Sequence, residues 1–363
     1  MEDGQFIEYL LNQRVQRKTK NTELLNNIYA SKYSKSIKEY LNRNHVHNVP
    51  LLIVFNTLYK LPDTFKIKGN SFFVADYGLY DYLYDWNYIL NSNNYHEDVI
   101  RLCIKQAIES FYLNDEIEIA YWLCLHSEGL EEYKTKDYYN KDTMTHFVDR
   151  TDIQEKFTML HEAGHFLFPL IDKDEAIKQI KGIHDTFIKT DRVKQIIGIK
   201  KNDPNLNQQL YEECYCDLHA AQYIVQNIRE VNLVTKRECY MLLFNAIFHV
   251  YILTYINIMC SLNYKDCMSY FDYQLWELTY RIGNMYIAFY IPLWEQDLKN
   301  DIEILNMVYK EFSNSFDERM KEIRKIMLHI TNMIKNYGND IKELSKVSDI
   351  NKINFIKEYL NLF

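Results

Sequence analysis

The chain has 363 residues and a formal net charge of −8, with 47% hydrophobic residues and only nine Gly and five Pro. That length can bury a large core, and the composition excludes a disordered or low-complexity polypeptide and favours long helices over turn-rich β structure. The negative balance speaks against a nucleic-acid partner, because phosphate contacts need a basic surface.

In chain order, residues 5–43 read as one or two polar helices. Arg14, Arg17, Lys18 and Lys20 make this start locally basic, but Glu2, Asp3 and Glu8 interrupt it. No apolar run follows Met1, so neither a transit peptide nor a secretory signal is expected. Residues 50–59 are apolar and fit a buried strand or a core helix; periodicity does not choose at that length. Residues 71–77, between Gly69 and Gly78, form the best strand candidate, expected as the edge strand of a small sheet. Residues 96–133 look helical.

The next helix is expected over 151–168. Thr151 and Gln154 have capping-box spacing, apolar residues recur at Ile153, Phe157, Leu160 and Phe168, and Pro169 stops the run. His161-Glu162-Ala163-Gly164-His165 lies inside it. Residues four apart share a helix face, so both imidazoles can reach one cation, and the carboxylate between them can take a proton from an activated water. This pattern points to a zinc hydrolase, with His161 and His165 as metal ligands and Glu162 as general base.

A third ligand is needed. Asp203-Pro204 is a good helix start, and the helix over 204–229 carries Glu213 and Asp217 on its apolar stripe, where a carboxylate needs a partner. Glu213 is expected to ligate, with Glu212 as the fallback. Asp217, one turn on, is expected to hold the free N–H of a ligand histidine. Cys216 with His219 is too small a set for a second metal site, and His45 and His47 read as loop or strand-edge histidines.

Taken together, His161-Glu162-Ala163-Gly164-His165 and Glu213-Cys214-Tyr215-Cys216-Asp217 resemble the gluzincin class of zinc metallopeptidases, which pair H-E-x-x-H with E-x-x-x-D on a later helix. The run Asp217-Leu218-His219-Ala220-Ala221 is similar to the segment after the glutamate ligand in ImmA/IrrE-like and M48-like families. The resemblance covers about 20 residues. It implies a zincin-like α+β core inside a mainly α chain, a Zn2+ cofactor and a peptide or protein substrate. The charged stretch 172–202 between the two pieces would be an inserted helix or loop. The expected organisation is an N-terminal helical region with a small sheet (1–150), a zinc-binding core (151–230) and a C-terminal helical part (231–363).

Residues 239–264 carry no charge and are long enough to span a bilayer. Asn245, His249, Asn257 and Ser261 form a polar stripe, however. The segment is therefore read as a core helix with that stripe turned toward the active-site cavity, and no membrane partner is expected. His249 is a candidate stabiliser of an oxyanion, as are Tyr280 and Tyr286. The seven cysteines are odd in number and scattered, which fits free thiols in a reducing, cytoplasmic setting. The functional expectation is a zinc-dependent metallopeptidase. The alternatives are a regulatory protease that cuts one protein partner and a non-catalytic zincin-like binding module.

Overall fold

The computed structural model describes residues 27–46, 50–55, 58, 60–67, 70–76, 78–127, 141–170, 174, 180, 204–227, 234–261 and 268–361. The basic start of the chain, His47, Asp203 and nearly all of the stretch 172–202 lie outside them.

The chain is mainly helical, as expected. It opens with α1 (Asn27–Arg43), followed by strands β1 (Leu51–Phe55), β2 (Asp63–Ile67) and β3 (Asn70–Asp76). Helices α2 (Gly78–Ile89), α3 (Tyr95–Leu113) and α4 (Ile117–His126) come next. Then come α5 (Lys141–Leu167), α6 (Pro204–Asn227), α7 (Lys236–Ser261) and α8 (Met268–Glu295). The C-terminal part holds α9 (Lys299–Asn336), α10 (Gly338–Glu343) and α11 (Asp349–Asn361).

The three strands form one sheet in the order β1-β3-β2, with β1 parallel and β2 antiparallel to β3. The strand expected at the edge is thus the central one. Its residues Phe72, Phe73, Val74 and Ala75 are all buried, which requires cover on both faces of the sheet. The edge position beside the cleft belongs to β2, whose first residue, Asp63, lines that cleft together with Leu61 and Pro62 just before it.

Helix α5 is the hub. It packs on α1, α2, α6, α7 and β2. It begins ten residues earlier than the capping-box reading expected, so Thr151 and Gln154 sit inside it rather than at its start. Both are buried because Asn87 on α2 donates to Thr151 Oγ1 (3.0 Å) and to Gln154 Oε1 (2.8 Å). A polar cluster between two helices has the same local spacing as a cap. At the other end α5 stops at Leu167, and Pro169 falls in a short 3-10 turn, as expected.

The contact between α5 and α6 is unusually close. A Cβ added at Gly164 would meet Cys216 Cβ and Sγ at 3.0 Å. Only glycine lets the two backbones approach this far, and the approach sets the reach of every side chain between them.

Helix α7 is, among the described residues, the one helix long and apolar enough to cross a membrane, and most of it is buried in the fold. It packs between α3, α5 and α9. Buried apolar residues from Ile37 on α1 to Leu360 on α11 join in one core.

Candidate metal centre

His161 and His165 project from the last two turns of α5 toward α6. Their Nε2 atoms lie 3.2 and 3.8 Å from the two carboxylate oxygens of Glu213. One donor atom from each of the three residues falls within 4.8 Å of the others, so the set can hold a metal ion. It is the only such group of His, Cys, Asp or Glu among the described residues.

The far sides of both rings are occupied by acids. Asp217 Oδ1 lies 2.8 Å from His161 Nδ1, and Glu212 Oε1 lies 2.9 Å from His165 Nδ1. A carboxylate beside Nδ1, hydrogen-bonded at His165 and a close charge pair at His161, favours a proton on that nitrogen and leaves Nε2 with its lone pair for a cation. The two acids considered for the third ligand position therefore divide: Glu213 faces both Nε2 atoms, and Glu212 braces His165 from behind.

Helix α8 supplies a residue that the sequence motifs did not name. Arg281 Nε and Nη2 donate to Asp217 Oδ2 and Oδ1 at 2.6 and 2.8 Å, and Nη1 lies 3.1 Å from Glu213 Oε2. One planar guanidinium thus binds two acids that are a turn apart on α6. A signal for it existed in the sequence: Arg281 is the only charged residue between Leu278 and Trp294, and a lone charge in an apolar helix needs partners.

The electrostatics follow from burial and these pairings. Burial raises Glu213 and Asp217, but Arg281 and the histidines outweigh it and hold both carboxyls below the ordinary range. Burial opposes charge on His161, yet Asp217 and Glu213 bring its imidazole up to about 10. Glu162 behaves in the opposite way. Burial pushes its carboxyl up to about 7, with Glu213 and Asp63 adding to the rise and His161 and His165 opposing it. A carboxyl poised near neutrality can both accept and return a proton.

The centre opens into a cleft of about 400 Å3 lined by residues of β2, α5, α6, α7 and α8. Glu162, Tyr251, Thr254 and Arg281 are on its wall. His249 is not. It is fully buried and stacked on Trp86 at 4.7 Å, so the candidate oxyanion role has no geometric basis. The polar stripe of α7 faces the other way, with Asn245 accepting a hydrogen bond from Arg319 on α9. The cleft instead sees Ala246, Ile247, Val250, Tyr251 and Thr254 of that helix. Tyr280 and Tyr286 are also absent from the cleft lining, and Tyr286 donates to Asn306 on α9.

No protein-family model, curated protein or solved structure matches the chain.

Proposed function

We propose that the protein is a zinc-dependent metallopeptidase of gluzincin type. One observation carries the reading: the proton-accepting Glu162 stands in an open cleft directly beside a His161, His165, Glu213 donor set. Two imidazole nitrogens and one carboxylate form the three-ligand set of catalytic zinc, which leaves a coordination position for water or substrate. Zinc held there supplies a Lewis acid and lowers the pKa of a water toward about 7. Glu162 takes the proton of the attacking water and returns it to the leaving amine. Arg281 and Asp217 keep Glu213 and His161 in register, and Glu212 does the same for His165. The start of β2 lines the cleft, and β2 pairs with β3 alone among the described strands. Its other edge suits an extended peptide held by main-chain hydrogen bonds. The six described cysteines are free and buried, in keeping with a reducing, cytoplasmic setting.

The test combines metal analysis with cleavage of a peptide library. Wild-type protein should hold one zinc per chain and cut a subset of peptides, and Glu213→Ala should lose the metal. Stoichiometric zinc with no cleavage would leave a non-catalytic binding module. Failure to bind any divalent ion would end the proposal.

A further inference from the structure

A second cavity of about 1080 Å3 lies on the opposite side of α7 from the metal centre, between α2, α3, α7 and α9. Arg319 lines it although only 6% of that residue is exposed. Its Nη2 donates to Asn245 Oδ1 at 3.0 Å and to Ser315 Oγ at 3.3 Å. Its Nε and Nη1 have no hydrogen-bond partner among the described residues. The guanidinium carbon sits 4.5 Å from the ring centre of Phe248 and 5.8 Å from that of Phe312. Aromatic faces stabilise a cation in part, but they do not replace an anion.

Four carboxylates line the cavity, and three of them are engaged elsewhere. Glu238 pairs with Arg150, Glu311 with Arg237 and Glu322 with His96. No described carboxylate forms an ion pair with Arg319, and burial brings its pKa down to about 10. A buried guanidinium with spare donors and no counter-ion is costly unless something anionic joins it. Its planar fork fits a carboxylate or phosphate.

We propose that this cavity binds a small molecule with a single anionic head, carboxylate or phosphate, seated at Arg319 and an apolar body against Leu90, Met241 and Leu242. The volume is that of a ligand site rather than of a lone inorganic ion. The arginines and lysines that line the cavity outnumber its glutamates by one, five to four, which asks for one negative charge, and those acids disfavour a polyanion. This site is separate from the proposed peptidase centre and stands or falls without it.

Titration calorimetry and melting curves of the full chain test it with phenyl phosphate, benzoate, inorganic phosphate and the neutral benzyl alcohol. Phenyl phosphate or benzoate should bind and raise the melting temperature, at least tenfold more tightly than benzyl alcohol or inorganic phosphate. Arg319→Met keeps the stem between the two phenylalanines, should weaken that binding by tenfold or more and should melt no lower than wild type without ligand. Met241→Trp fills the cavity while leaving the arginine in place, and should also abolish binding. The proposal is overturned if neither anionic probe binds better than benzyl alcohol, or if Met241→Trp binds as tightly as wild type. Unchanged binding in Arg319→Met, or a lower melting temperature of that variant without ligand, would also overturn it by making the guanidinium a structural group.

Discussion

Each histidine of the candidate metal centre has an acid beside the ring nitrogen opposite its Nε2, and one of those acids, Asp217, is held in turn by Arg281. Asp217 is the point where this support concentrates, since it meets both His161 and Arg281. Asp217→Asn removes the charge but keeps an acceptor, so the fold should persist while zinc affinity falls by about 10–100-fold. A chelator competition titration measures this, and an unchanged affinity would show that the acid does not tune the site. Glu162→Gln should keep zinc at wild-type stoichiometry while peptide cleavage drops by about two to four orders of magnitude. Arg281→Leu strands the buried Asp217 and the partly buried Glu213, so the metal-free chain should lose about 3–5 kcal/mol in urea unfolding. Zinc should recover part of that loss by neutralising Glu213. That these residues come together was legible in the sequence: the four-residue spacing puts His161 and His165 on one helix face, and a carboxylate on an apolar stripe, as at Glu213 and Asp217, demands a partner. Arg281 met the same criterion, but a lone charge does not say which partner it has. The pairing across 64 positions with Asp217 exists only after α6 and α8 have packed.

At the scale of elements, the centre depends on how closely α5 and α6 approach, and Gly164 against Cys216 sets that distance. Gly164→Ala places a methyl group 3.0 Å from Cys216 Cβ and Sγ and 3.1 Å from its Cα, so Cys216 and the backbone that carries it must give way by a few tenths of an ångström. Overpacking of this kind costs about 1–3 kcal/mol, outweighing the gain in helix propensity from alanine. Because Glu213 reaches the histidines across the same interface, zinc affinity should fall together with stability. Gly338→Ala is the control: nothing lies within 4 Å of the added carbon there, and stability should stay within about 0.5 kcal/mol of wild type. Urea melts with zinc titrations on both variants decide the matter, and equal behaviour would show that the close approach is incidental. Other features of the elements were only partly readable. The unbroken apolar run Phe72–Ala75 already implied a strand buried on both faces, hence a central one, whereas its flanking glycines suggested only a boundary. The Thr151 and Gln154 spacing could not separate a cap from an interhelical cluster, because the distinguishing partner, Asn87, is 64 positions away from Thr151. His249 was misplaced for a related reason. A helix such as α7, buried on most sides, lets its polar residues face any neighbour, and its sequence does not say which.

For the whole molecule, the candidate metal centre draws its residues from helices in distant parts of the chain. Metal occupancy should therefore stabilise the whole fold by an amount that depends on free zinc over Kd. The size of that effect should vary with pH in a direction fixed by His161. In the metal-free protein Asp217 and Glu213 hold its imidazole up to about 10, so the ring carries its proton at neutral pH. A metal needs the neutral ring, and binding must release that proton. From pH 6 to 9, well below this folded value, zinc affinity should rise about tenfold per pH unit for the one proton displaced, and level off above about 10. The metal-free fold runs the other way. A raised folded pKa contributes stability that is complete below the unfolded histidine value of about 6.5 and is lost as pH climbs through the folded value. The melting-temperature gap between zinc-loaded and chelator-treated protein should therefore widen steadily from pH 6 through 7.5 to 9. Calorimetry in buffers of differing ionisation enthalpy should count the released proton directly. A gap that stays constant or narrows with pH, or binding without proton release, would mean that His161 is neutral in the metal-free protein and that its acid partners do not hold it charged.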